Sequence, residues 1–271
     1  MSLLERFAER ARAADGRFGA VVLAPDGGEA LAIDPDGVYP AASVIKLPLV
    51  MTLYEDAAAG RLSLEERVPV GERVEGSGVL RDLVDVVVLS LRDLAALAMT
   101  VSDNTATNRL IERIGAERVN ERLDAWGCPK TRLRRRTFDW AARDRGLENE
   151  MTPRETASLL ARVRRDAGAG SAPMREVLRL LERNTNATRL GRYLPASTVL
   201  AHKDGWGTDP DPVDNDAGIV SVGGSSVVAV GFAHRVPGLA ARPLLGLLGA
   251  AAAELAGADV AGLSRELVAG T

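Results

Sequence analysis

What most constrains the fold of this chain is a change of hydrophobic period along it: extended at both ends, helical in between. Residues 16–33 show two short apolar runs around a Pro-Asp-Gly-Gly turn, the signature of a hairpin. From Ser43 to about Arg183 the apolar positions recur at three and four, in 49–59, 91–100, 105–114, 116–126 and 153–166. Extended patterns return at 199–204, 217–222 and 226–233, before a last helix. The expectation is an α/β (α+β) fold in which both chain ends build one antiparallel sheet flanked by terminal helices, with an all-helical lobe inserted between. The 271 residues, 46% hydrophobic, can bury a full core, and a single domain built of two lobes is expected. Its α/β lobe is expected at about 1–40 and 186–271, and its helical lobe at about 41–185.

The same patterns exclude several classes. The most apolar stretch, 243–258, is rich in alanine and glycine, carries Glu254 and is shorter than the roughly 20 residues a membrane span needs, so it reads as a packed helix. Residues 1–15 carry acidic groups throughout and lack the apolar core of a secretory signal. The chain as it stands is therefore expected to be cytoplasmic, or exported if a leader has been removed. Cys128 is the single cysteine and can form no internal disulfide. A net charge of −3 offers no field for nucleic acid, and the basic run at 132–136 is followed by Asp139, Asp144, Glu148 and Glu150, which reads as local ion pairing. His202 and His234 are isolated, so no metal site and no cofactor are expected. A monomer is expected.

Basic residues carry the next signal. Thirty-one are arginines and three are lysines, Lys46, Lys130 and Lys203. Arginine stays protonated, whereas a lysine can exchange its proton, so a chain that prefers arginine marks the lysines it keeps. Ser43 and Lys46 lie three apart at the start of a helical segment, where the amine can take the hydroxyl proton and the free backbone N–H groups can stabilise an oxyanion. Read alone, the pair is equally a helix N-cap followed by a first-turn lysine. Pro48 adds a distortion at the helix start, because it has no N–H to give. Ser102-Asp103-Asn104, between two helical segments, is ordinary capping chemistry by itself, and Lys203-Asp204-Gly205 is an unremarkable end to a strand.

Taken in order, these three motifs resemble those of the class A β-lactamases and the related penicillin-recognising serine hydrolases. The resemblance covers most of the chain and extends to 76–80 and to 135–153, which looks like that family's omega loop. It implies a β-lactamase/transpeptidase-like fold. It also implies that Ser43 is the acylated nucleophile, Lys46 its base or proton relay, Ser102 the donor to the departing nitrogen and Lys203 its electrostatic neighbour. Asn104 would hold the acyl side chain. The backbone N–H groups of Ser43 and Trp206 would form the oxyanion hole, and Gly205, lacking a side chain, would let substrate approach the strand.

Two departures bear on substrate and rate. Asp204 stands where the family usually has the threonine whose hydroxyl binds the acidic group of a β-lactam, so it either turns away to pair with Lys203 or an arginine, or the substrate is unconventional. Strand 217–222 has no arginine to help, and Arg235 is a possible substitute. Thr137 falls where the omega-loop glutamate would activate water. Asp139, two positions on, is the nearest acid and the candidate general base, while Glu148 and Glu150 look like partners for Arg135 or Arg136. The function expected is β-lactam hydrolysis by a serine acyl-enzyme. The alternatives are an esterase or D-amino-acid peptidase with the same catalytic set, and a non-catalytic protein that binds β-lactams or cell-wall fragments. The partner expected is a small molecule, whether a β-lactam, an ester or a peptidoglycan-like amide.

Overall fold

The computed structural model describes residues 1–208, 211–260 and 262. The chain begins with α1 (Leu3–Arg12), β1 (Arg17–Leu23), β2 (Glu29–Ile33) and the two-residue β3 (Tyr39–Pro40). A 3-10 turn, Ala42–Ile45, runs directly into α2 (Lys46–Ala58), followed by β4 (Arg67–Pro69) and β5 (Val88–Ser90). Next come α3 (Leu91–Thr100), α4 (Asn104–Ile114), α5 (Ala116–Ala125), α6 (Trp140–Asp144), β6 (Glu150–Met151), α7 (Pro153–Gly168) and α8 (Ala172–Glu182). The chain closes with β7 (Val199–Gly207), β8 (Val213–Val222), β9 (Ser225–His234) and α9 (Gly238–Leu255).

Two compact units result. The first, the sheet unit, contains Met1–Val44, Thr152–Arg162 and Asn186–Thr271. Its sheet has the order β2-β1-β9-β8-β7, antiparallel at each pairing, so β1 from one chain end lies beside β9 from the other and β7 is an edge strand. Phe7 and Ala11 of α1 and Leu244, Leu245 and Leu248 of α9 are buried in one cluster with Ala20, Val22, Val220, Val227 and Ala229 of the strands. α9 is long and apolar enough by composition to cross a membrane, yet that apolarity is spent on this core. The segment 152–162 falls in the sheet unit, although it lies within the stretch whose period is helical. Its contacts explain why: the Arg154 amide donates to the Pro35 carbonyl at 2.9 Å, and the Arg154 guanidinium pairs with Glu29 and Asp36.

The second, helical unit contains Ile45–Met151 and Val163–Thr185. α2 is its central element, buried on nearly every side, and α3, α5 and α8 contribute Leu94, Ala98, Val119, Leu123, Val177 and Leu181 to the buried set. Asp56 at the far end of α2 is buried and receives Arg61, Arg118 and Arg122; the Arg118 bonds above all hold its carboxyl well below the usual range. The periodicity predicts an all-helical lobe, and the structure corrects this. β4 and β5 form a short antiparallel ribbon, and Arg132 and Glu150 make an isolated bridge. Three-residue strands are too brief to register a period. The basic run is ion-paired: Arg132 with Asp124, Arg134 with Glu150, Arg135 with Glu148 and Arg136 with Glu112.

Candidate active site

In the helical unit, the candidate residues cluster around one lysine. Lys46 is the first residue of α2 and is wholly buried. Its Nζ donates to the Ser102 carbonyl at 2.7 Å, the Ser102 hydroxyl at 3.0 Å and Asn104 Oδ1 at 2.9 Å. The 102–104 loop is folded to serve this arrangement. Ser102 has φ +55°, a left-handed conformation that costs a serine free energy and persists only where surroundings enforce it. Asp103 enforces it: one oxygen caps α4 through the Ala106 amide, and the other accepts the amides of Val79 and Leu80. Asn104 extends the same seam, its Nδ2 donating to the Glu75 carbonyl and its backbone amide to the Ser77 carbonyl. So the 76–80 segment picked out by resemblance is the strap that fixes the loop. Gly78, at φ +111°, lies so close that a Cβ there would meet Asp103 at 2.3 Å.

Thr137 sits on the edge of this cluster. Its hydroxyl donates to Asn108 Oδ1 at 2.8 Å and to the Asn104 carbonyl at 3.3 Å. Phe138, next in the chain, is strained at φ +62°. Asp139, the candidate base, occupies a capping position: its Oδ1 accepts the Ala142 amide at 2.9 Å and starts α6. Glu148 and Glu150 are engaged with Arg135 and Arg134.

In the sheet unit, the turn that carries Ser43, the candidate nucleophile, lies against β7. Ser43 does not cap a helix as one sequence reading had it. The cap position of α2 is Ile45, which makes no side-chain cap bond, and Ser43 is half-buried within the 3-10 turn that begins at strained Ala42, φ +45°. Pro48 is the third residue of α2, where a helix leaves the N–H unpaired in any case, so the proline is compatible with this abrupt start. Gly205 is glycine for a reason other than substrate access. A Cβ there would come within 2.6 Å of the Ser43 amide nitrogen and 3.0 Å of the Ala42 Cβ, so strand and turn are packed backbone against backbone. Asn215, paired with Gly205 across the β7–β8 ladder, donates to the Pro40 carbonyl at 2.8 Å and fixes the approach to the turn. Trp206 follows, half-exposed on the edge strand.

Lys203 is as completely buried as Lys46, but its Nζ donates to the Asp204 carbonyl at 2.7 Å and pairs with Asp204 Oδ1 at 3.2 Å. Asp204 Oδ2 accepts from Asn186 Nδ2 at 2.6 Å and Arg189 Nη1 at 3.1 Å, while Arg189 also holds Asp214. The carboxylate has thus turned onto Lys203 and an arginine. That arginine is Arg189, which sequence reasoning missed; Arg235, the substitute considered, is a surface residue paired with Asp211. His202 is packed, its Nδ1 2.9 Å from Asp216 Oδ1.

With the motifs in place, comparison with known proteins fixes their kin. A profile of the β-lactamase enzyme family matches residues 2–256. The chain belongs to this β-lactamase family. β-Lactamase AST-1 of Nocardia asteroides is 30% identical over 208 residues, covering 74% of this chain and 66% of that enzyme, so the chain spans just under two thirds of that relative's length. Among solved structures, a β-lactamase from Sphaerobacter thermophilus superposes with TM-score 0.83 and 30% identity, covering 94% of this chain and 97% of the other. PBP-A superposes with TM-score 0.81 and 25% identity, covering 93% and 94%, and a variant of it has been solved as an acyl-enzyme with penicillin G. The β-lactamase fold that the resemblance of the three motifs implies is therefore shown.

Proposed function

We propose that this family member is a serine hydrolase that opens β-lactams through an acyl-enzyme on Ser43. The observation that carries the reading is the wiring of Lys46: a fully buried amine bonded to the Ser102 hydroxyl and to Asn104 from the first residue of the helix that the nucleophile turn enters. A 3-10 turn repeats every three residues, which supports Ser43 and Lys46 lying on one side of the chain. In the proposed step, the Ser43 hydroxyl oxygen bonds to the lactam carbonyl carbon while Lys46, reacting as the neutral amine, accepts its proton and becomes the ammonium. The carbonyl oxygen takes up negative charge under the Ser43 and Trp206 amides. The C–N bond then breaks, and Ser102 delivers a proton to the nitrogen, with Lys203 supplying positive charge. Water later cleaves the ester and frees Ser43.

The rate of that last step separates a β-lactamase from a slow penicillin-binding hydrolase. Thr137 at the glutamate's place and the capping bond of Asp139 favour slow deacylation. Incubation with penicillin G while intact mass is followed tests the reading. The expected result is an adduct of the antibiotic's mass on the wild type that decays slowly, and none on Ser43→Ala. An adduct on both proteins, or neither an adduct nor turnover of penicillin G with the wild type, would remove Ser43 from the role.

A further inference from the structure

Asp204 is held in a way that reaches beyond turning aside. Three donors from three separate residues converge on one carboxylate: Lys203 Nζ at 3.2 Å on Oδ1, and Asn186 Nδ2 at 2.6 Å and Arg189 Nη1 at 3.1 Å on Oδ2. The residues that carry charge here, Lys203, Arg189, Asp204 and Asp214, are each at most 4% exposed. Among the buried groups described, two cations meet two carboxylates, so the buried part of the cluster is charge-balanced. Arg242, the one further cation described, lies at the Asp214 end, 3.4 Å from Oδ1 and 45% exposed. A buried cradle of an ammonium, a guanidinium and an amide is chemistry suited to a carboxylate, and here the protein's own side chain fills it. The place is next to the reaction, since Gly205, the following residue, is packed on the Ser43 amide.

We propose that Asp204 is a specificity-determining residue: as the built-in counter-ion of Lys203 and Arg189, it makes the enzyme favour acyl donors with an uncharged group at the β7 edge over donors with a carboxylate there. The inference rests on the acyl-enzyme reading given above. A donor carboxylate brings a third anion to two cations, and in a site withdrawn from water that imbalance is poorly screened. A neutral ester or amide brings none. Arg189 and Asn186 are positioning residues in this scheme, keeping the Asp204 carboxylate on the cradle.

The test uses a matched pair, a chromogenic cephalosporin and its methyl ester, with acylation kcat/KM for each divided by its rate with hydroxide to remove the difference in ring reactivity. The wild type is expected to favour the ester by about tenfold or more. Asp204→Asn and Asp204→Thr are expected to raise kcat/KM for the free acid by about tenfold while moving the ester less than about threefold, which reverses the preference. A wild type that favours the free acid overturns the proposal, as do variants that change both donors in parallel. Should the variants fail to fold, as thermal unfolding would show, the wild-type ratio alone decides. If neither donor is turned over or leaves an adduct on Ser43, it is the acyl-enzyme reading that falls, and this proposal falls with it.

Discussion

Lys46 and Lys203 are the same residue type, both with no exposed surface, and their surroundings differ in kind. The bonds described for Lys46 run to a carbonyl, a hydroxyl and an amide oxygen, all neutral, and one of them is a group able to pass a proton. Lys203 is bound into an ion pair whose carboxylate is shared with a guanidinium. Burial by itself therefore says little about what a lysine does; the partner decides. A lysine wired to a hydroxyl is placed to move protons, whereas a lysine in a closed ion pair supplies charge and holds geometry.

Exchange with arginine breaks this comparison most directly, because arginine keeps the charge and cannot give up the proton. Lys46→Arg is expected to slow acylation by about 10³-fold, within the span found for a lost general base. Lys203→Arg is expected to cost less than about tenfold, since the positive charge beside Asp204 survives. Rates of adduct formation from stopped-flow absorbance would decide. Equal losses in the two variants would show that both lysines serve only as charges, or both as proton carriers, and the contrast would be gone.

Thr137 sharpens the Lys46 side of the contrast. It reaches Asn104, which itself accepts from Lys46, so in the proposed mechanism the cluster has a lysine to carry the proton but a hydroxyl where a carboxylate would activate water. Thr137→Glu is expected to speed deacylation by about 10²-fold, the usual worth of a positioned general base, with acylation changed far less. The measurement is the lifetime of the penicillin adduct by mass. An unchanged lifetime would mean that the water is not reachable from this position.

How far the site could be read in advance follows from the same physics. Helices α3 and α5 were legible because each buries one face and repeats that choice along its length, and the hairpin β1–β2 because two apolar runs flank a turn sequence. β8 was legible only from Ala217 onward. Its first half, Asp214-Asn215-Asp216, looks like a polar loop, yet all three are buried, each engaged by a partner far off in the chain: Arg189, the Pro40 carbonyl, and His202 with the Leu190 amide. Three polar residues abutting an apolar strand were the available signal. Arg189 carried no local signal, because its role is defined by strands that follow it. The opening of α2 was misplaced by three residues because a 3-10 turn and an α-helix share the same apolar spacing over so short a run.

The smallest expected effect concerns Asp139, whose two readings can be told apart by one atom. A carboxylate that activates water cannot be replaced by an amide, whereas a helix N-cap can, since asparagine and aspartate cap about equally well through a side-chain oxygen. The observed bond from the Ala142 amide to Asp139 Oδ1 is of the second kind. Asp139→Asn is therefore expected to change the adduct lifetime by less than about twofold, while Asp139→Ala, which removes the cap, costs about 1 kcal/mol of stability in denaturant unfolding. If Asp139→Asn instead prolonged the adduct by about 10²-fold with stability unchanged, Asp139 would be the base, and the helical unit would hold the complete proton machinery around Lys46 that its wiring leaves open.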